Sequence, residues 1–307
     1  MTRILITGGS GFLGHNIAPV LAKGHEVFQG YFRNAPGAAS GMAAAIDITQ
    51  PARLLEQFDV IQPDIVVHAA AMTQPDECEK HPEEARLLIV EGTRNVARAC
   101  AACGCRLIHI SIDLVFDGRR GHYIEGDPVT GISIYSNSKI EAEKVAQEIA
   151  ASATILRVAL LYGQGTAAHP GNIESTLRSW RAGRPLTFYT DQYRTPLFAR
   201  QAAEVIEALL ARPDFQGILH VGGGERVSRF AFAELLAQRV NAPRRLLQPG
   251  SMWESKAVAP RGADCSLTSA KLQSELGIRP LTCSEGLDTL VRSGYLEPLS
   301  NDIAQSH

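Results

Sequence analysis

Short apolar runs alternate with longer helical patterns through the first half of the chain. The runs at 3–7, 26–31, 44–48, 64–69, 106–111 and 154–158 predict strands, and the stretches 12–22, 51–58, 82–103 and 135–150 predict helices. Strands of near-continuous Val, Ile and Leu, rather than alternating ones, belong to a parallel sheet covered on both faces. Right-handed crossovers then give a doubly wound α/β sheet of the Rossmann type. The rhythm changes after about residue 160. G-Q-G-T-A-A-H-P-G at 163–171 is a loop by composition. Shorter helices are predicted at 172–182, 199–211, 228–238 and 268–276, with strands at 186–189 and 217–221, the last returning towards the sheet. The expected organisation is one domain over 1–160 and a smaller C-terminal α/β lobe over 161–307, with some return of chain to the first. A cleft between them is the default binding site.

Composition narrows the classes. The 307 residues are 45% hydrophobic and 20% charged, and their net charge is −2. That balance gives no electrostatic case for nucleic acid or for an anionic membrane. The apolar run at the N-terminus is too short for a signal peptide or a membrane span, so the expected location is cytoplasmic. Cys100, Cys103 and Cys105 form C-A-A-C-G-C, but no second cluster completes a zinc site at the usual spacing. They read as small buried residues at the end of an alanine-rich helix capped by Gly104. No metal is expected.

The first turn carries chemistry. Ile4–Thr7 runs into G-G-S-G-F-L-G, so Gly8, Gly11 and Gly14 recur at three-residue spacing between strand and helix. Glycine permits the sharp turn, the close approach of backbone N–H groups to a pyrophosphate, and tight helix–strand packing. The helix N-terminus, with Phe12 and Leu13 in its first turn, adds free donors and a positive dipole. A dinucleotide site is therefore expected. The second strand ends in V-F-Q-G-Y-F-R without an acid to grip a ribose, while Arg33 can pair with a 2′-phosphate. NADP(H) is favoured over NAD(H). Asp47 and Ile48 are placed at the adenine edge, and Ala69, Ala70 and Ala71 are small enough for a cofactor to lie across them.

Tyr135 and Lys139 in Y-S-N-S-K open a predicted helix at i and i+4, on one face. An ammonium near a phenol stabilises the phenolate and makes tyrosine a usable general acid. Behind a glycine turn and a fifth-strand corner, S-I-D-L-V-F-D-G at 111–118, the pair reads as catalytic.

These motifs together give the chain a family likeness. T-G-G-S-G-F-L-G (7–14), P-D-I-V-V-H-A-A-A-M-T (63–73), D-E-C-E-K-H-P-E-E-A (76–85), V-F-D-G (115–118), Y-S-N-S-K, L-R-V-A-L-L-Y-G (156–163) and R-T-P (194–196) resemble the extended short-chain dehydrogenase/reductases, within them the group like dTDP-4-dehydrorhamnose reductase. The resemblance implies a cofactor in the N-terminal domain and a nucleotide sugar in the C-terminal lobe. It also implies Tyr135 as proton donor to a keto sugar, and Lys139 as its electrostatic partner and ribose anchor. Thr73, Phe116, Gln192 and Arg194 become candidate substrate contacts, with Arg194 read either as meeting a diphosphate or as forming a structural salt bridge; the oligomeric state expected is monomer or homodimer.

Two positions depart from the family pattern. The corner normally offers a Ser or Thr where this chain has Ile112, and Ile89 stands where relatives carry an Asn ahead of V-E-G-T. Ser111 and Asp113 flank Ile112, and either could enter the pocket if the strand bulges. A lost hydroxyl costs about 10²–10³ in rate at such a site. The departures therefore leave two expectations. One is an NADP(H)-dependent reductase of a keto group on a nucleotide-linked deoxysugar. The other is a cofactor-binding regulatory protein like the β-subunit of methionine adenosyltransferase, which is similar to this branch.

Overall fold

The computed structural model describes residues 1–36 and 41–299. Seven parallel strands form the central sheet. In chain order they are β1 (Arg3–Thr7), β2 (Glu26–Tyr31), β3 (Met42–Ala45), β4 (Ile65–His68), β5 (Arg106–Ile112), β6 (Thr154–Val158) and the strand Gly217–Val221. Their spatial order is Gly217–Val221, β6, β5, β4, β1, β2, β3. The order reverses at β1, so the turns after β1 and β4 flank the switch point where ligands of doubly wound sheets bind.

Each face is covered because each is apolar. On one face Ile4, Ile6, Ile108 and Leu156 pack against α1 (Phe12–Leu21) and the helix Gln201–Leu210. On the other, Leu5, Val66, Leu107 and Ile155 pack against α2 (Pro51–Ile61), α5 (Gly92–Cys103) and α6 (Ile134–Ile149). A further apolar cluster around Trp180, Phe198, Phe232 and Leu287 forms among residues 162–299.

The differences from expectation have local causes. The third strand ends at Ala45, although the Ile46 amide still donates to Tyr31 O at 2.7 Å. Asp47 then closes a turn by accepting from the Thr49 amide at 2.9 Å. The helix expected over 82–103 is α4 (Pro82–Arg86), a π-turn over Leu87–Glu91, and α5. A helix α3 (Pro75–Lys80) precedes them. The helix Cys283–Arg292 is announced by a capping box, Thr282 with Glu285, that the pattern reading missed. Gly104 does cap α5, at φ 69° with its amide on Cys100 O; Cys100 and Cys105 are buried, whereas Cys103 is exposed.

Candidate active site

The carboxyl ends of β1–β5 bring most of the expected residues to one edge. Gly8 sits at φ +69°, and a Cβ there would stand 2.8 Å from the Ala70 amide. At Gly14 a Cβ would stand 2.5 Å from Gly9 Cα, so strand and helix touch through glycine alone. Gly11 is the N-cap of α1 with no side-chain cap, and the first turn carries no acid. Its N–H groups are left open to an anion, which fits a dinucleotide pyrophosphate. Ala69–Ala71 follow directly after β4, half-buried. Arg33 is exposed beyond β2, its guanidinium 5.6 Å from the Phe32 ring. Leu13 and Ile48 are buried in the core, so only their backbones can serve a ligand. Ile48 O already accepts from Asn95 Nδ2 at 2.9 Å.

Tyr135 and Lys139 open α6 as expected, and the sequence around them explains how they are held. Ser133 and Ser136 form a capping box, and Glu79 from α3 accepts the Ile134 amide at 2.7 Å. Lys139 is buried, and its Nζ donates to Ile110 O at 2.6 Å. Burial pulls its pKa down to about 8, against the opposing pull of Glu143 one turn on. Burial pushes the Tyr135 phenol well above its ordinary value, with Cys78 and Asp113 adding to the effect. Its hydroxyl has no hydrogen-bond partner among the described residues.

The corner after β5 settles where each side chain goes. Ser111 lies on the opposite side of the strand from Ile112: its Oγ donates to Glu143, which binds Arg157 at 2.7 Å. Arg157 in turn meets His220 Nε2 at 3.4 Å. Ser111, Arg157 and His220 are register neighbours on three adjacent strands, so this chain crosses the sheet beneath α6. Ser111 therefore corrects the expectation of a stand-in hydroxyl, because its donor is spent on a buried carboxylate. Ile112 instead joins Ile89, Cys78, Ala85 and Ala142 in one apolar cluster around Tyr135. The two isoleucines that break the family pattern thus belong with Tyr135 to one apolar cluster.

Asp113 faces Arg194. It is buried, its Oδ2 is 3.6 Å from Arg194 Nε, and that oxygen has no hydrogen-bond partner. Burial raises its pKa to about 6 although Arg194 opposes this. Phe116 is a second correction. It is 1% exposed and stacks on Tyr123 at 4.1 Å, with His220 at its edge, so it is a core ring rather than a substrate contact. Thr73 is exposed, and Gln192 is buried with an unpartnered Nε2.

Further groups were not visible in the sequence reading. Asp76 accepts from the Ala259 amide and from Arg261, both at 3.0 Å, tying the 259–261 segment to α3. His68 donates and accepts at once: Nδ1 meets Thr7 Oγ1 at 2.7 Å and Nε2 meets Thr93 Oγ1 at 3.1 Å. Thr93 Oγ1 donates to Ile89 O at 2.6 Å, satisfying a carbonyl of the π-turn. Burial lowers His68 to about 3, so it bridges the glycine turn and the π-turn as a neutral ring. Arg229 also lies at this end of the molecule; its only sequence signal was a cation directly after a serine cap, against the helix dipole.

A glycine-cradled helix N-terminus facing a Tyr–Lys pair across a doubly wound sheet defines an NAD(P)-dependent oxidoreductase of the extended short-chain dehydrogenase/reductase class. The chain belongs to the RmlD substrate binding domain family, which it matches over residues 1–295. The methionine adenosyltransferase 2 subunit beta of Bos taurus is 30% identical over 276 residues, covering 86% of this chain and 80% of that one. A probable low-salt glycan biosynthesis reductase of Haloferax volcanii is 30% identical over 292 residues, covering 93% and 96%. The structure of dTDP-4-dehydrorhamnose reductase from Bacillus anthracis in complex with NADP superposes with a TM-score of 0.86 at 26% identity, covering 95% of this chain and 99% of that one.

Proposed function

We propose that the protein reduces a keto group on a nucleotide-linked deoxysugar, using NADP(H). The carrying observation is the buried Tyr135 at the start of a capped helix, its hydroxyl without a hydrogen-bond partner among the described residues, one turn from a buried ammonium. The phenol stays protonated because burial disfavours its phenolate. Tyr135 Oη then delivers its proton to the carbonyl oxygen as that oxygen becomes negative. Lys139, protonated below about pH 8, stabilises the phenolate left behind. The dinucleotide, when bound, supplies the hydride. Gly8, Gly11 and Gly14 with the first turn of α1 would hold its pyrophosphate, and Lys139 its ribose. Arg33, exposed beyond a second strand without an acid at its end, favours the 2′-phosphate of NADP(H). Residues 1–160 would hold the cofactor and the C-terminal segment the sugar nucleotide.

A second reading has its own observation. Ile89 and Ile112 surround Tyr135 with apolar atoms, and Ser111 is turned away. A dry site with an intact cofactor cradle suits a cofactor-binding regulatory protein, the reading that likeness to the methionine adenosyltransferase subunit supports. One experiment separates the two. NADPH is mixed with the purified protein and a panel of 4-keto nucleotide sugars, and its absorbance is followed. Consumption of NADPH with any sugar establishes the reductase. Tight NADPH binding with no turnover on the whole panel abandons it for the regulatory reading.

A further inference from the structure

The motif C-A-A-C-G-C at 100–105 has no part in the glycine cradle or the Tyr–Lys pair. It closes α5 and leads directly into β5, so it lies at the amino edge of the sheet, whereas the cradle and Tyr135 lie at the carboxyl edge. Gly104 turns the chain there at φ 69°. Its amide and the Cys105 amide both donate to Cys100 O, the latter at 3.1 Å. At a helix end closed in this way, the residue offering the carbonyl and the second residue past the helix commonly touch through their side chains. Those two positions are Cys100 and Cys105. Both are buried in one apolar cluster with Phe58, Val96 and Leu107, while Cys103 is exposed.

The six cysteines of the chain divide unequally. Burial raises the thiol pKa of Cys78, Cys103, Cys265 and Cys283, as an apolar setting does for any thiol. Cys100 is raised too, first by its hydrogen bond with Cys105 and then by burial. Cys105 is lowered, because the Cys100 thiol donates to its sulfur, against the opposing pull of burial and of Asp64. A sulfur held as thiolate by a neighbouring thiol has its resolving partner already in contact, which is what a reversible dithiol needs. Cys105 is 8% exposed and Cys100 not at all, so a reagent must be small and must arrive at Cys105.

We propose that Cys100 and Cys105 form a thiol oxidation site at which a hydroperoxide converts the pair into a disulfide. Cys105 Sγ, as thiolate, attacks one peroxide oxygen. An S–O bond forms, the O–O bond breaks, and the hydroxide released takes up the proton that Cys105 gave up. Cys100 Sγ then attacks Cys105 Sγ. The S–S bond forms, the S–O bond breaks, and the departing hydroxide leaves as water with the Cys100 proton. With hydrogen peroxide, the two thiols lose two electrons in all and the peroxide becomes two waters. A small dithiol reverses the step by exchange. No cofactor or sugar takes part, so the site stands apart from the reductase reading.

Thiol counting on the whole protein provides the test. Reduced wild type is freed of reductant, exposed to hydrogen peroxide while folded, denatured in N-ethylmaleimide and digested with trypsin. Cleavage after Arg98 and Arg106 places all three cysteines of the motif on one peptide, 99–106. Without peroxide that peptide should carry three labels. After peroxide it should carry one, on Cys103, and dithiothreitol before labelling should restore three. Three labels after peroxide overturn the proposal. A disulfide that includes Cys103, or oxidation confined to Cys103, also overturns it, because the exposed thiol would then be the reactive one. Cys103→Ser, a change at an exposed position, should still lose both remaining labels; retention of both overturns the buried pair. In Cys100→Ser the resolving thiol is gone, so dimedone should trap a sulfenic acid on Cys105, and a protein that stays unmodified there overturns the order of attack. The wild-type count decides the pairing without either variant.

Discussion

The turn after β1 and the corner after β5 occupy the same edge of one sheet and follow opposite designs. At the first, everything that could obstruct a ligand is absent: three glycines, an uncapped helix start and no acid. At the second, side chains fill the space. Ile112 and Ile89 close around Tyr135, and the one hydroxyl available is bonded to Glu143 on the far side of the strand. Backbone alone can build a phosphate cradle, because its donors are peptide N–H groups. Acid catalysis needs particular side-chain atoms, so a single substitution can alter it while the fold stays whole. The chain's likeness both to a probable reductase and to a methionine adenosyltransferase subunit is compatible with that asymmetry.

The contrast can be broken first at the cradle. Gly14→Val places its Cβ 2.5 Å from Gly9 Cα, a clash with backbone that no rotamer relieves. It should abolish NADPH binding measured by fluorescence titration, whereas Ile112→Val should leave that binding unchanged. Tyr135→Phe comes next. It should lower reductase turnover by roughly 10²–10⁴ while NADPH affinity holds, as expected for loss of a general acid. Retained turnover would place the proton elsewhere, with Asp113 the first candidate.

Glu143→Gln tests the polar line on the far side of the corner. Removing one partner of a buried ion pair costs about 3–5 kcal/mol, because Arg157 is left buried and uncompensated. Denaturant unfolding should show that loss; a change under about 1 kcal/mol would mean that His220 and solvent take over the guanidinium. Ile112→Thr should raise reductase turnover by roughly tenfold to a hundredfold, part of what a hydroxyl at this position contributes. An unchanged rate would show that the site already has its donor.

The smallest effect is in pH. The folded pKa of Lys139 is lowered to about 8 by burial, and the charged form supports Tyr135. kcat/KM should be level below that value and fall as pH rises through it, about tenfold per unit. A profile that stays level to pH 10 would remove Lys139 from the proton step.

Much of the frame was legible because its signals are local. β1, β2, β6 and the strand Gly217–Val221 fall where the apolar runs place them, and α6 begins within one residue of its expected start. The glycine spacing and the Tyr–Lys spacing each carry their chemistry within a few residues. The π-turn before α5 was not legible, since it depends on Thr93 reaching Ile89 O while His68, from a strand, meets the same Thr93 hydroxyl. Phe116 was misplaced for a related reason: V-F-D-G marks a family, but the ring's direction depends on Tyr123 and His220, the latter about a hundred residues away. The pairing of Arg194 with Asp113 was hidden too, because paired and unpaired guanidiniums look alike in sequence.

By itself, the sequence determined the sheet's character, the phosphate-binding turn, the Tyr135–Lys139 pair and the two isoleucines that break the pattern. Periodicity, glycine and short spacings are written within one element. Only the tertiary structure decided that both isoleucines join the apolar cluster of Tyr135, that Ser111 faces Glu143, and that Asp113 faces Arg194. Those facts depend on which strand lies beside which and in what register, and register is fixed by the packing of the whole sheet.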